Sequence, residues 1–212
     1  KDISTNQIVT YFSNADSSNT DFRNIKKWIY NSLLNGVFKS KGAGWIPYKT
    51  GIRKILERIK NYKNRQFPDV ELFNIYYENN ILFTQEYTED KLDKLESSFL
   101  YYLMYDMEEV IRKNDIDHIM PKSILERLNF DWGQINSIKN FQLIDYATNR
   151  GEKNAKPFKE WINNPIYVTD KEFFIKKHLI PRDETIWEEE NFLTFIEQRG
   201  KLIFDKLEKY MP

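Results

Sequence analysis

The chain has 212 residues, enough to bury a substantial core, and its 32 Lys or Arg and 32 Asp or Glu residues give no net charge. A content of 41% hydrophobic and 30% charged residues excludes a disordered chain, and the absence of cysteine excludes a disulfide framework and a zinc ribbon. No apolar run approaches the roughly 18 residues that a membrane-spanning helix needs. We therefore expect no membrane partner and a cytoplasmic location. Because the sequence begins with Lys1 and no signal peptide is visible, we interpret it as a piece of a longer intracellular protein.

Charge is distributed unevenly along the chain. Residues 22–66 carry twelve Lys or Arg and one acidic residue, whereas residues 67–117 carry four Lys or Arg and thirteen Asp or Glu. The basic segment is suited to a polyanion such as DNA, and it is equally suited to packing beside the acidic segment within one fold. Its densest run is a candidate helix face for the DNA backbone or for docking another module: Arg53, Lys54, Arg58, Lys60, Lys63 and Arg65.

The hydrophobic spacing of the first half predicts helices. The first runs over about 21–35, with Asp21 as its N-cap and Gly36 at its end, and Lys39–Gly44 follows as a loop. Further helices are predicted over about 50–61 and 69–79, with an ambiguous segment at 81–83, and one long helix is predicted over 89–113. We treat residues 1–112 as the N-terminal helical part of one structural domain.

The helical periodicity stops over about 113–164 and resumes afterwards. This interruption is predicted to contain a strand with Ile116 and His118, a loop with Trp132 and Gly133, a second strand over 140–144 and a helix beginning within 146–153. Residues 165–212 are predicted to be C-terminal helices, chiefly over about 171–177 and 190–209. The fold class is therefore mainly α (α+β), a helical scaffold with an embedded ββα unit.

Four polar residues in and beside the predicted strands are suited to phosphodiester hydrolysis. Asp117 and His118 are adjacent in the first strand, and Asn140 and Asn149 bracket the second strand and the helix start. Carboxylate and amide oxygens are hard ligands that suit Mg²⁺ or Mn²⁺. A neutral imidazole nearby is able to accept a proton from water. Because strand neighbours point to opposite faces, adjacency of Asp117 and His118 alone does not make one site.

The order of these residues resembles the HNH (ββα-metal) nuclease motif. Asp117 to Ser123, then Asn140 with Gln142 and Leu143, then Asn149-Arg150-Gly151, is similar to the DHIxPxS…N…NRG form in the HNH domain of CRISPR effector nucleases. The wider chain resembles the C-terminal nuclease domain of GmrSD-type (type IV) restriction enzymes. That similarity adds Lys153, Asn154, Phe158, Trp161, the run 178–181, the pattern from Phe195 to Arg199, and an aromatic linking segment over 28–38.

The resemblance implies a role for each motif residue. His118 would be the general base, and Asp117 and Asn149 would ligate one divalent metal ion. Asn140, the middle residue of the motif, would brace the strand and loop by hydrogen bonds. Because the family form with histidine at the last position is not met, Mg²⁺ or Mn²⁺ is favoured over tightly held Zn²⁺. The residues expected to face DNA phosphates are Lys122, Arg150, Lys153 and Lys156.

The expected function is metal-dependent endonucleolytic cleavage of DNA. Within a larger restriction or phage-defence protein, the partners would be DNA and an N-terminal nucleotide-hydrolysing module that is not in this chain. Two alternatives stay open: a DNA-binding or protein-docking module whose HNH centre is inactive in isolation, and a nuclease that acts on RNA.

Other polar and aromatic residues have a structural interpretation. His178 lies near a helix end, where a structural role is favoured over catalysis. Arg199 in the last helix is expected to be a buried ion-pair partner. Trp132, Trp161 and Trp187 are expected in the core rather than as platforms for base stacking.

Overall fold

A computed structural model describes residues 22–39, 44–62, 66–105, 114–145, 153 and 155–210, and within them the fold is mainly α. The described residues form two compact units. The N-terminal unit contains the described residues up to Tyr87 together with Lys94–Phe99, and the C-terminal unit contains Thr88–Asp93 and Leu100–Tyr210. The predicted segments 113–164 and 165–212 thus lie together in the C-terminal unit.

The N-terminal unit is built from helices close to the predicted positions. Helix α1 spans Phe22–Leu34, a π-helical turn over Tyr48–Ile52 leads into α2 at Arg53–Asn61, and α3 spans Asp69–Glu78. Gly36 ends α1 as predicted, because its φ of 65° permits the closing turn. The core of this unit contains Ile25, Trp28, Val37, Ile46, Ile52, Ile55, Ile59, Phe67, Leu72, Phe73, Ile75, Tyr76 and Ile81. The predicted N-cap Asp21 and loop residues 40–43 lie outside the described residues.

Ion pairs join the basic and acidic segments within the N-terminal unit. Lys27 lies 3.5 Å from Asp69, Lys54 lies 3.0 Å from Glu78, and the ammonium of Lys39 contacts the carboxylate of Glu96. Part of the basic segment therefore packs beside the acidic one. This agrees with one of the two interpretations of the charge pattern. Lys63 and Arg65 of the basic run lie outside the described residues.

The prediction of one continuous helix over 89–113 is wrong. The described residues form a 3-10 helix over Glu89–Lys94 and then helix α4 over Ser97–Met104. The backbone N–H of Glu96 donates to the carbonyl of Leu34 at 2.7 Å instead of to a carbonyl within the same helix. Asp93 accepts bonds from the Ser137 hydroxyl and from the Ile138 N–H. These tertiary bonds replace local helical ones, and residues 106–113 lie outside the described residues.

The C-terminal unit contains the predicted strand pair. Strand β1 spans Asn114–His118, and β2 spans Phe141–Asp145. The segment between them was predicted as a loop, but it forms helix α5 over Lys122–Arg127, helix α6 over Trp132–Ile135 and a 3-10 turn over Ile138–Asn140. Helix α6 forms because the Asp131 side chain accepts the N–H groups of Gly133 and Gln134.

The helices after the hairpin form the rest of the C-terminal unit. They are α7 over Phe158–Ile162, α8 over Lys171–His178 and α9 over Phe192–Glu208, with 3-10 turns at Glu184–Ile186 and Glu189–Asn191. Helices α8 and α9 match the predicted segments. Of the helix predicted to begin within 146–153, only Lys153 belongs to the described residues.

A separate core holds the C-terminal unit together. It contains Ile119, Met120, Leu125, Ile135, Phe158, Trp161, Ile162, Val168, Ile175, Ile180, Ile186, Trp187, Phe192, Phe195 and Ile196. Trp161 and Trp187 are buried, as predicted, whereas Trp132 is exposed and the prediction of a core position for it is wrong. Trp132 is the first residue of the short helix α6, and Ile135 of the same helix packs in the core instead.

Arg199 connects the last helix to the start of β2. Its buried guanidinium donates to the carbonyls of Lys139 at 2.7 Å and Phe141 at 2.8 Å, and further to those of Ile138 and His178. The expectation of burial is confirmed, but the partners are backbone carbonyls rather than a carboxylate. Arg199 therefore fixes the chain as it enters the strand that lies opposite Asp117 and His118.

Among the ranges that the structure describes, no helix combines the length and the apolar character required to cross a lipid bilayer.

Candidate functional site

The hairpin register decides which residues of the predicted site are neighbours. The strands β1 and β2 are antiparallel, with Asp117 opposite Gln142 and His118 opposite Phe141. Because side chains alternate along a strand, Asp117 shares a face with Gln142, and His118 shares the other face with Phe141. Asp117 and His118 therefore lie at the same strand end but make different contacts.

Asp117 is held by two donors. The Gln142 side chain donates to its Oδ2 at 3.2 Å, and the ammonium of Lys153 contacts the same oxygen. The Lys153 ammonium also donates to the carbonyl of His118, and it lies 5.7 Å from the centroid of the Trp161 ring. The carboxylate of Asp117 is thus already paired with a cation from its own chain.

The position of Lys153 differs from the one that the resemblance implied, in which its side chain would face a DNA phosphate. Its side chain is only 3% exposed. Burial lowers the pKa of Lys153, and the negative charge of Asp117 acts against that shift. A buried ammonium needs such a partner, because an unpaired charge in an apolar environment is strongly unfavourable. In this structure Lys153 stabilises the hairpin and is not presented to solvent.

His118 is half-buried and oriented by two contacts. Its ring packs against Phe141 with centroids 4.6 Å apart, and its Nε2 lies 3.2 Å from Oδ1 of Asn136. Asn136 is itself fixed, because its Nδ2 donates to the Trp132 carbonyl at 2.8 Å. An amide oxygen accepts, so this contact favours the imidazole tautomer with hydrogen on Nε2 and leaves Nδ1 as the basic nitrogen.

The protonation state of His118 suits a proton acceptor. Burial lowers the pKa of His118, and the hydrogen bond to Asn136 acts in the opposite direction. The neutral imidazole is therefore the main form near pH 7, and a neutral imidazole is the form that accepts a proton from water.

Asn140 braces the segment between the strands. Its side chain is fully buried, accepts from the Met120 N–H at 3.0 Å and donates to the carbonyls of Met120 and Ile135. Its own carbonyl accepts from the Ile119 N–H at 2.7 Å. These bonds fix the chain directly after His118, in the way that the resemblance implied for the middle residue of the motif.

Gln142 provides a test of whether the site suits a divalent cation. Its Oε1 is buried and has no hydrogen-bond partner in the part of the chain that the structure describes. This oxygen belongs to the amide that contacts Asp117, so a carboxylate and an unpaired amide oxygen are held by neighbouring side chains. Hard oxygen donors of this kind fit Mg²⁺ or Mn²⁺, which retain waters and need few protein ligands. Over the described ranges no group of three or more His, Cys, Asp or Glu side chains is placed to hold a metal ion.

The remaining predicted residues are dispersed. The Lys122 ammonium lies 3.6 Å from Glu126 on the surface of α5, and Lys156 lies over the ring of Tyr167 with its ammonium 5.0 Å from the centroid. The predicted metal ligand Asn149 and the predicted phosphate contact Arg150 lie outside the described residues.

Two contacts of the site were not predicted from the sequence. Asn136 precedes a serine in an apparent loop and has no motif position, so nothing indicated its bond to His118. Gln142 follows Asn140 by two residues, and the alternation of a strand would have placed it beside Asp117 once the register was known.

No family model matches this chain, and neither the curated proteins nor the solved structures contain a match. Function must therefore be inferred from the residues of the hairpin and their contacts.

Proposed function

We propose that the chain is a metal-dependent endonuclease that hydrolyses DNA phosphodiester bonds, with His118 as its general base. The observation that carries this proposal is the position of His118 at the end of β1, where Asn136 orients its ring and burial lowers its pKa, directly after Asp117 in the strand. The buried brace made by Asn140 supports the proposal, because a general base needs a fixed backbone.

The reaction follows from the free nitrogen of His118. Nδ1 accepts a proton from water while the Nε2–H keeps its hydrogen bond to the Asn136 oxygen. The hydroxide attacks phosphorus, the bond to the 3′ oxygen breaks, and that oxygen takes up a proton. The products are a 5′-phosphate and a 3′-hydroxyl. When bound by Asp117, with Gln142 and the predicted ligand Asn149 as further oxygen donors, Mg²⁺ or Mn²⁺ would neutralise negative charge on the phosphate oxygens.

Two further expectations belong to this proposal. The embedded ββα-metal unit needs a helix after β2, in the stretch that begins at residue 146. The partners would be DNA and an N-terminal nucleotide-hydrolysing module of a larger restriction or phage-defence protein. Lys122 and Lys156 remain the described candidates for contacts with phosphate.

Nicking of supercoiled plasmid by the purified 212-residue chain tests the proposal. We expect nicking with Mg²⁺ or Mn²⁺ and none with chelator. Asp117→Ala should lower the rate, with partial rescue by added Mn²⁺. Asp205→Ala, which removes an exposed carboxylate on α9, is the matched control and should leave the rate unchanged. Nicking that persists in chelator would contradict the metal dependence.

One alternative is favoured by a specific observation. Lys153 already neutralises Asp117, and the side chains of Asp117 and His118 lie on different faces of the hairpin. Both features suit a DNA-binding or protein-docking module whose HNH centre is inactive in isolation. Specific binding of plasmid without nicking under any metal condition would support this alternative.

A further inference from the structure

Helix α2 of the N-terminal unit presents four cations to solvent. Arg53, Lys54, Arg58 and Lys60 are all exposed, and Glu57 is the only acidic residue of the helix. Arg53 and Lys60 are separated by about two helical turns, so they lie on the same side of the helix. Lys54 and Arg58 are neighbours on the helix surface and form a second row, on the other side of Glu57. We call these four residues the basic face of α2.

The exposed side of α2 has no apolar surface to offer a partner. Ile55 and Ile59 are buried in the core of the N-terminal unit, and Leu56 packs against the same core. A helix that lies on a lipid bilayer buries its apolar side in the membrane, and a stable protein interface has an apolar centre. Because the apolar side of α2 is already covered by its own unit, a partner of the basic face is recognised by charge.

The charge of the basic face is available to such a partner. Within the described ranges, Arg58 and Lys60 have no carboxylate at ion-pair distance. Arg53 lies 3.0 Å from Glu57, and Lys54 lies 3.0 Å from Glu78, with all four side chains more than half exposed. Exposed pairs of this kind contribute about 0–1 kcal/mol, so exchanging the carboxylate for another anion costs little free energy.

The phosphate backbone of a duplex has the complementary chemistry. Double-stranded DNA carries one negative charge per about 1.7 Å of its axis, so closely spaced cations on a rigid helix each find a phosphate. Contacts between Lys or Arg and phosphate need no apolar surface, and they position a protein on the duplex without reading its sequence. The two rows of cations on α2 are therefore suited to backbone contacts.

We propose that the basic face of α2 binds the phosphate backbone of duplex DNA. The exposed charge argues for a polyanion, and the choice of DNA rests on the proposed function. This face makes the N-terminal unit a source of affinity for DNA that depends neither on base sequence nor on a metal ion.

Duplex binding in chelator tests the basic face without cleavage. Fluorescence anisotropy with short labelled duplexes of two different sequences, at several salt concentrations, gives the affinity and its salt dependence. The double variant Arg58→Gln/Lys60→Gln removes the two unpaired cations. The slope of log affinity against log salt should become shallower by about 1–2, because each phosphate contact contributes about 0.9. Affinity should fall by roughly tenfold or more at low salt, and equally for both sequences.

Two matched variants serve as controls. Arg58→Lys/Lys60→Arg keeps both charges and should bind duplex DNA like the parent chain. Lys176→Gln/Lys209→Gln removes two exposed cations of the C-terminal unit and changes the net charge by the same amount, but it should leave the slope nearly unchanged. Circular dichroism would show that the variants fold alike. The same titrations with single-stranded RNA and with phosphatidylserine vesicles test other polyanionic partners.

The outcomes separate this inference from the proposed function. Weaker duplex binding with a shallower slope in Arg58→Gln/Lys60→Gln alone supports the basic face, even if no form of the chain nicks plasmid. Unchanged duplex binding in that variant, or an equal loss in Lys176→Gln/Lys209→Gln, overturns the inference even if metal-dependent nicking is observed. A loss confined to RNA or to vesicles overturns it as well, since the face would then serve another partner.

Discussion

The almost fully buried ammonium of Lys153 contacts the carboxylate of Asp117, the residue proposed to ligate a divalent cation. The same ammonium donates to the carbonyl of His118. The cation beside Asp117 is therefore a side chain of this chain, and a divalent cation on Asp117 would compete with it. This competition makes the role of Asp117 measurable without any cleavage assay.

Lys153→Met should destabilise the fold and tighten the binding of Mn²⁺. Breaking a fully buried ion pair costs about 3–5 kcal/mol, and we expect about 1–3 kcal/mol here because Asp117 keeps some contact with solvent. Urea denaturation measures the first effect. Isothermal titration with Mn²⁺ measures the second, for which we expect an increase of several-fold in affinity. Unchanged or weaker Mn²⁺ binding would remove Asp117 from the metal site.

Gln142→Met should show whether Gln142 is a metal ligand or only a structural residue. The substitution loses one hydrogen bond to Asp117 but also removes a buried amide oxygen that has no partner among the described residues. The free energy of unfolding should therefore change by less than about 1.5 kcal/mol. Affinity for Mn²⁺ should fall if Oε1 contributes to the metal site. A large loss of stability with unchanged Mn²⁺ affinity would assign Gln142 to structure alone.

Arg199→Met should be among the most destabilising single changes in the C-terminal unit. It removes the guanidinium that donates to four carbonyls, at His178, Ile138, Lys139 and Phe141, and hydrogen bonds to a charged group contribute about 1.5–3 kcal/mol each. We expect a loss of at least about 3 kcal/mol by urea denaturation. Lys201→Met on the same helix removes an exposed cation and should have little effect.

The stability of the fold should decrease in mild acid because of His178. Burial lowers the pKa of His178 well below its usual value of 6.5, and the nearby charges of Lys177, Arg199 and Lys153 act in the same direction. Its Nδ1 lies 3.0 Å from the Tyr105 hydroxyl, which suits a neutral ring. Since the unfolded chain protonates near pH 6.5 and the folded chain does not, this stabilisation is present above pH 6.5 and is lost as the pH falls below it.

The magnitude of this pH effect is about 1.4 kcal/mol per pH unit below pH 6.5. Denaturation curves between pH 7 and pH 5 measure it. His178→Gln keeps a hydrogen-bonding side chain without the titration, and its stability should vary less with pH over this range. Parallel pH profiles for both proteins would show that His178 does not titrate on unfolding.

Local patterns predicted much of this fold. Helix α1 and its end at Gly36, helix α9 and the two strands lie close to their predicted positions, because apolar spacing and turn residues act within a few residues. The long helix over 89–113 could not be excluded from the sequence. Its interruption depends on Asp93 and Glu96, whose partners are distant in the chain.

The contacts of the candidate site required the structure. The register that places Gln142 beside Asp117, the bond from Asn136 to His118 and the burial of Lys153 depend on chain segments that meet only after folding. Trp132 shows the same limit. A large aromatic side chain favours the core, but in the short helix capped by Asp131 the buried residue is Ile135 instead.

The orientation of His118 by Asn136 has a consequence for the proposed cleavage reaction. Asn136→Ala removes the acceptor on Nε2, so the basic nitrogen is no longer fixed. We expect a lower single-turnover rate with unchanged Mn²⁺ affinity. Plasmid nicking at saturating metal, with Mn²⁺ titration alongside, measures both quantities. A parallel fall in Mn²⁺ affinity would instead place Asn136 in the metal site.

Single-turnover plasmid nicking by His118→Ala, with and without added imidazole, tests whether His118 is the general base of a nuclease. We expect the rate to fall by about 10²- to 10⁴-fold with unchanged Mn²⁺ affinity, and to recover in part when imidazole is supplied. Nicking by His118→Ala at the rate of the parent chain would show that His118 is not the base.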